Sequence, residues 1–423
     1  MEFAPIVLML AFLALGMPIY VAMGASALFG FYLFDVPVLS APDVVYNSLT
    51  PFTLLAVPFF IMTANLMSVG GISDSLVNCA RAWVGHLWGG LGMATILACM
   101  VFSAICGSSV ATAMAVGAVT IPAMVQAGYD KSYAMGVTAA GGTLGILIPP
   151  SIPLILYGFM TEQSVRALFT AALVPGLLAT GFLIVGAVVV AKIRNYPVLE
   201  ATSWEERWVA TRRALPSMLL PVLILGGIYT GAYTPTEAAV ISVVYAVIIS
   251  QVFYARISFR RLLLTIGRSI LEASLIMVIL ATAMMLGHYL TIADIGTMIL
   301  DGINAAGLGR MGFLLLIMGA LLILGTFMEV TSMLLIMMTV LLPALIALDI
   351  NTIHFAVLFV VTMEIGLLTP PVGMNLFVVA RSGQGSLQEA IKGVLPFVGL
   401  LALLLVMLIF VPQISLWLPA QMP

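Results

Sequence analysis

Charge is the scarcest thing in this sequence. Only 8% of its 423 residues are Asp, Glu, Lys or Arg, against roughly 25% in a soluble domain. The chain cannot clothe a globular surface in water. Fifteen basic and 17 acidic residues leave a formal net charge of -2, and without a basic patch nucleic acid is excluded as a partner. No Lys or Arg precedes Arg81, which argues against a cleaved signal peptide with a positive leading region. Cys79, Cys99 and Cys106 lack CxxC spacing and lie in or beside apolar runs, so they read as small buried residues rather than disulfides or metal ligands. HExxH, a GxSxG elbow and a pair of intramembrane aspartates are all missing, which removes the usual intramembrane hydrolases.

What remains is apolar. Hydrophobic residues make up 63% of the chain, and the mean hydropathy is +1.22. The apolar stretches run to about 20 residues, the length of a membrane-spanning helix rather than a barrel strand. The sequence therefore predicts an all-α polytopic membrane protein. Residues 3–15 and 18–35 form two short spans or one helix kinked at Pro18. Further spans follow at 51–69, 133–157, 168–191, 215–231, 235–254, 269–290, 352–379 and 393–418, with longer split regions at 89–122 and 312–343.

Basic residues set the expected orientation. Lys192, Arg194, Arg207, Arg212 and Arg213 crowd one loop; Arg256, Arg260, Arg261 and Arg268 crowd another. Positive loops stay cytoplasmic. Counting outward puts Arg81, Lys131, Arg381 and Lys392 inside as well, and leaves Asp35, Asp43, Asp294, Asp301 and Asp349 outside, with Arg166 and Arg310 as exceptions. The count closes only if 89–122 and 312–343 each enter and leave on one side. Each has a polar, glycine-bearing centre, "FSAICGSSVAT" and "LGTFMEVTSM". That is the pattern of a re-entrant hairpin, tolerated at membrane depth where protein or a water-filled cavity surrounds its tip.

The two halves also align. A shift of 221 pairs Pro122 with Pro343, Gly145 with Gly366, Pro149 with Pro370 and Pro150 with Pro371, so that "GILIPP" recurs as "GLLTPP". A double proline breaks a helix. Each half thus holds a hairpin and a discontinuous helix, and the charge count makes the halves inverted across the membrane: 1–200, then an amphipathic cytoplasmic stretch at 201–214, then 215–423. That stretch, with Trp204 and Trp208, reads equally as a brace, an oligomer contact or a plain linker. Gly/Pro-interrupted segments in inverted halves point to the binding site of a secondary transporter.

A broken helix offers free carbonyls for a cation and free N–H groups for a carboxylate. The first tip brings Ser103, Gly107, Ser108, Ser109 and Thr112 opposite Gly145, Ile148 and Pro150. The second brings Gly325, Thr326, Glu329, Thr331 and Ser332 opposite Gly366, Thr369 and Val372. Oxygen donors without a cysteine or histidine cluster favour a hard alkali cation, although small hydroxyl residues also simply let helices pack closely. Glu329 and Glu364 are ionisable at membrane depth; Glu329 is a candidate for a cation or a proton, and Glu364 for a backbone bond. Glu272 and His288 are read as residues near span ends with interfacial or structural roles. Asn375 offers its amide to a substrate or to a neighbouring helix. Thr234, Pro235 and Glu237 fit a capping box that starts a helix.

The motifs "GAYTPTEAA", "AAGGTLGILIPPSIPLILYG", "LGTFMEVTSMLLI" and "EIGLLTPPVGMNLFVVARSG" resemble the large membrane subunit of tripartite ATP-independent periplasmic (TRAP) transporters, the DctM-like family, over essentially the whole chain. The resemblance implies an inverted-repeat, elevator-type fold of the ion-transporter kind. It implies a sodium-coupled importer of organic acids in the bacterial inner membrane, working with a small four-helix membrane subunit, expected as a separate chain, and a periplasmic substrate-binding protein. It places sodium at Ser103, Gly145, Ile148 and Pro150, and at Gly325, Thr326, Gly366, Thr369 and Val372, with Glu329 where some relatives carry an acidic residue for a further cation. Ser108, Ser109, Thr112 and Asn375 are left as substrate-binding candidates. No interior Arg or Lys stands ready to clamp a second substrate charge, which favours a monocarboxylate or sugar acid. A stand-alone divalent-anion/sodium symporter shares such hairpins, but its repeated Ser-Asn-Thr tip is not seen in "GSSVAT" or "MEVTS".

Overall fold

Lipid supplies no hydrogen bonds, so a chain this apolar must satisfy its backbone within its own helices. The computed structural model describes residues 2–254 and 257–421; Arg256 of the second basic loop lies outside them. Among the described residues the fold is all-helical, and nine helices are long and apolar enough to cross a membrane. The chain is a multi-pass membrane protein.

Both split regions are helix–turn–helix units. Gly90–Cys106 and Ser109–Gln126 form the first, Arg310–Gly325 and Val330–Ala347 the second. Pro122 and Pro343 do not end the second arms, as the bounds 89–122 and 312–343 would have it; each lies inside its helix. A late proline removes a single donor and leaves the following turn intact. Both double prolines do break their helices. Lys131–Leu147 stops and Ile152–Thr161 resumes; Thr352–Leu367 stops and Met374–Ser382 resumes. The Pro149–Pro150 and Pro370–Pro371 bonds are both cis.

The offset of 221 extends well beyond the motifs. Added to Ser109–Gln126 it gives the bounds of Val330–Ala347, and it carries Ile152–Thr161 to within a residue of Met374–Ser382. The two units exchange partners. Ile152–Thr161 packs on Val330–Ala347 of the second hairpin, while Met374–Ser382 packs on Ser109–Gln126 of the first. Asn375 anchors the latter contact, its Nδ2 donating to Ser109 Oγ at 2.7 Å and to the Ala139 carbonyl at 3.3 Å.

Several boundaries differ from expectation. Residues 3–35 make two helices, Ala4–Ala14 and Ile19–Leu33. The 201–214 stretch is no separate linker: Trp204–Thr230 is one helix, started by a Ser203–Glu206 capping box. The span expected from 269 begins at Phe259 and runs to Ile292, taking Arg260, Arg261 and Arg268 into its first turns. Hydropathy places such ends too late because charged turns at the membrane surface remain helical. Amphipathic helices at Ser40–Leu49, Ile72–Val84 and Ile295–Ala305 carry too few apolar residues to register as spans. Thr234 and Glu237 do form the capping box, and His288 packs edge-on against Phe31, their ring centroids 5.7 Å apart.

The most interior element is the first broken helix. Of its central 18-residue window 89% is buried, against 33% for Phe259–Ile292. A helix whose hydrogen-bond ladder loses two successive donors, at Pro149 and Pro150, is poorly suited to face lipid.

Candidate functional site

At the first break, Pro149 and Pro150 carry no N–H, so the carbonyls of Gly145 and Ile146 lose their i+4 donors. Ser151 replaces one, its hydroxyl donating to the Ile146 carbonyl at 2.6 Å. The Gly145 carbonyl gains no such substitute. The first hairpin tip seats directly on this break: a Cβ on Gly145 would lie 2.8 Å from Ser109 N, and one on Gly107 2.8 Å from the Pro150 carbonyl oxygen. Only glycine allows that approach. One turn before the tip lies Ser103, fully buried, its hydroxyl without a hydrogen-bond partner among the described residues. A buried, unpaired hydroxyl is costly. It is the donor set expected around an alkali cation: a free hydroxyl and a freed carbonyl, with Ile148 and Pro150 beside them.

The second break is built alike but spends its groups differently. A Cβ on Gly366 would lie 2.8 Å from the Gly325 carbonyl carbon. Gly373 N–H donates to the Thr326 carbonyl at 2.9 Å, tying the tip to the far side of the break. The Thr326 and Thr369 hydroxyls turn back to the carbonyls of Ile323 and Ile365, at 2.8 and 2.7 Å. Thr369 N–H takes the Gly366 carbonyl at 3.0 Å. Val372 is half-buried beside them. Glu329 caps Val330–Ala347, accepting from Ser332 N–H at 3.1 Å and from the Thr331 hydroxyl at 2.9 Å.

The two tips meet at a cavity of about 160 Å³. Cys106, Gly107, Ser108, Ser109, Val110 and Ala111 of the first tip line it, as do Glu329, Val330 and Thr331 of the second. Ile146 and Leu367, from the upstream pieces of the two breaks, reach the same space. Of the substrate candidates, Ser108 and Ser109 are on its wall. Thr112 lies behind, donating to the Ser108 carbonyl at 2.8 Å, and Asn375 supports Ser109 from outside the cavity.

One residue of this cavity, Asn65, escaped sequence reasoning, and another, Glu272, was expected to be interfacial or structural. Asn65, on Ala56–Val69, donates to Glu272 Oε2 at 2.8 Å and to Ser269 Oγ at 3.0 Å. Both Asn65 and Glu272 line the cavity opposite the tips. With the helix starting at Phe259, Glu272 lies about 20 Å along the axis at 1.5 Å per residue, one turn beyond Arg268. A lone Asn and a lone Glu within apolar runs were the available signal. Glu364, by contrast, is fully buried with neither carboxylate oxygen hydrogen-bonded among the described residues, so the expected backbone bond is not formed. At the outer end of the first broken helix, Asp130 pairs with Arg194 at 2.9 Å. The Tyr196 hydroxyl, then Arg194, hold the Asp130 carboxyl below its usual range.

The family model of the tripartite ATP-independent periplasmic transporter, DctM component, matches residues 6–414. The chain is 38% identical to the C4-dicarboxylate TRAP transporter large permease protein DctM of Vibrio cholerae, covering 98% of this chain and 96% of the relative. It is 36% identical to the sialic acid TRAP transporter large permease protein SiaM of the same organism, over 90% and 89%. With the 2,3-diketo-L-gulonate TRAP transporter large permease protein YiaN of Escherichia coli the identity is 33%, over 95% of each. In fold it resembles the YdaH transporter of Alcanivorax borkumensis, with a TM-score of 0.61 at 14% identity over 97% and 98% of the two chains. The architecture is that of a membrane transporter. The chain belongs to the DctM family of TRAP transporter large permease subunits.

Proposed function

We propose that this chain is the large transmembrane subunit of a sodium-coupled, binding-protein-dependent importer of an organic acid in the bacterial inner membrane. The carrying observation is the convergence of two hairpin tips and two helix breaks on one cavity, in a chain of this family. The relatives are named for carboxylates: C4-dicarboxylates, sialic acid and 2,3-diketo-L-gulonate. Its partners are a small four-helix membrane subunit and a periplasmic binding protein, as the word tripartite implies.

On this reading, residues 1–200 and 215–423 are inverted repeats, and the hairpins re-enter the membrane from opposite sides. Sodium binds at Ser103, Gly145, Ile148 and Pro150, and at Gly325, Thr326, Gly366, Thr369 and Val372, with Glu329 available to a further cation. Ser108 and Ser109 receive the substrate carboxylate at a helix N-terminus, and Thr112 and Asn375 hold that tip in shape. Hairpins and broken helices move together, as an elevator, against the helices that carry Asn65 and Glu272. Binding sodium supplies the positive charge that makes the tip attractive to an anion.

The test is uptake into proteoliposomes holding the large and small subunits, with the binding protein outside. Accumulation should follow an inward sodium gradient and ignore ATP. Equal uptake without sodium removes the coupling, and full uptake without the binding protein favours a self-sufficient symporter.

A further inference from the structure

The cavity is electrically lopsided. A helix N-terminus carries roughly half a positive charge, and two of them open here. At the first tip, Ser109–Gln126 has no acidic residue in its first turn, and its cap is the neutral Ser108 hydroxyl, 3.5 Å from Ala111 N. At the second, the Glu329 carboxylate already occupies the N-terminus of Val330–Ala347. The opposite wall adds Glu272. Asn65 holds its Oε2 and is itself fixed by the Ser269 hydroxyl, which leaves Oε1 without a hydrogen-bond partner among the described residues. No Lys or Arg lines the cavity.

Resting on the reading of this cavity as the substrate site, we propose that Glu272, oriented by Asn65, is a specificity-determining residue. It selects monocarboxylates that carry hydroxyl or ammonium donors beyond the carboxylate and disfavours dicarboxylates. The substrate carboxylate meets the first tip, where positive charge is uncompensated. Its other end meets two acidic side chains, which accept hydrogen bonds from donors. A second carboxylate there faces like charge, with no Lys or Arg side chain to offset it. Relatives named for C4-dicarboxylates make this a discriminating claim.

The experiment compares two four-carbon acids, L-threonate and succinate, on the large subunit purified with its small partner in lipid nanodiscs. Binding is read as ligand-induced thermal stabilisation over a concentration series. Threonate should act at concentrations about tenfold lower than succinate, the scale of one charge-assisted hydrogen bond. Glu272→Gln should shrink that preference to about threefold or less. Asn65→Ala, which leaves the carboxylate in place but unheld, should shrink it in the same direction and serves should the first variant fail to fold. Equal or tighter succinate binding in the unaltered protein overturns the proposal, as does a preference untouched by both substitutions, or no binding of either acid. Sodium-driven uptake of the binding protein's own cargo by the same complex is measured alongside. Its persistence in any of those cases leaves the transport reading standing, and its absence defeats that reading separately.

Discussion

The first hairpin and break are sealed, while the second pair, related to it by the offset of 221, is open. Residues 141–150 are all buried, whereas Pro370 and Pro371 are exposed. The first tip closes with residues 107–108, the second with 326–329, and Phe327 at the second tip is 56% exposed. The first pair leaves a hydroxyl and a carbonyl unspent, at Ser103 and Gly145; the second turns Thr326 and Thr369 onto their own helices. One is capped by a neutral serine, the other by a glutamate. The two pairs thus share an offset of 221 in their helix bounds, and their residues give them different electrostatics and different access.

The sharpest way to break this comparison is to fill the close approaches. Gly145→Val drives a branched side chain into the backbone of a buried tip, a strain of about 1–3 kcal/mol or more, and should abolish uptake. Gly366→Val meets the Gly325 backbone at a longer, exposed tip that can yield, so it should lower the Tm less. A more damaging effect at Gly366 would reverse the assignment of sealed and open. Next comes access. A thiol introduced as Phe327→Cys should react with a maleimide on the order of a hundredfold faster than native Cys106, which is buried at the first tip. Comparable rates would mean that both tips open together.

The proposed cation sites should separate more modestly. Ser103→Ala removes an unspent hydroxyl and should raise the sodium concentration for half-maximal uptake about tenfold. Thr369→Ala removes one already bonded to Ile365, and about threefold or less is expected. Equal shifts would mean that the Thr369 hydroxyl turns round to bind the ion. The smallest effect belongs to the second cap. Glu329→Ala should cost about 1 kcal/mol of stability, read as a lower Tm, because it strips the Ser332 N–H of its acceptor. The matching change at the long Ser108 contact should cost less.

Much of this was legible beforehand. The broken helices, the paired tips and the offset of 221 followed from prolines, glycines and hydroxyls in apolar runs, because lipid tolerates such interruptions only for a reason. The helix ends were less legible: Pro122 and Pro343 looked like stops and are not, since a proline near a C-terminus removes little. The start of the span before Glu272 was placed too late for a related reason. Its helix begins ten residues before the apolar run does, with charged turns that hydropathy does not count. Asn65 gave only the weak signal of a lone amide in an apolar run, because its meaning depends on Glu272, 207 residues away.

The sequence by itself determined that this chain lives in a membrane, that it is all-helical, and where two of its helices break. Those features follow from each backbone group needing a partner in a solvent that offers none. Tertiary structure decided which freed groups stay free, which tip is covered, and which carboxylate turns to face the cavity. Such choices arise between helices far apart in the chain, where distances of a few ångströms settle whether a hydroxyl is bonded or waiting.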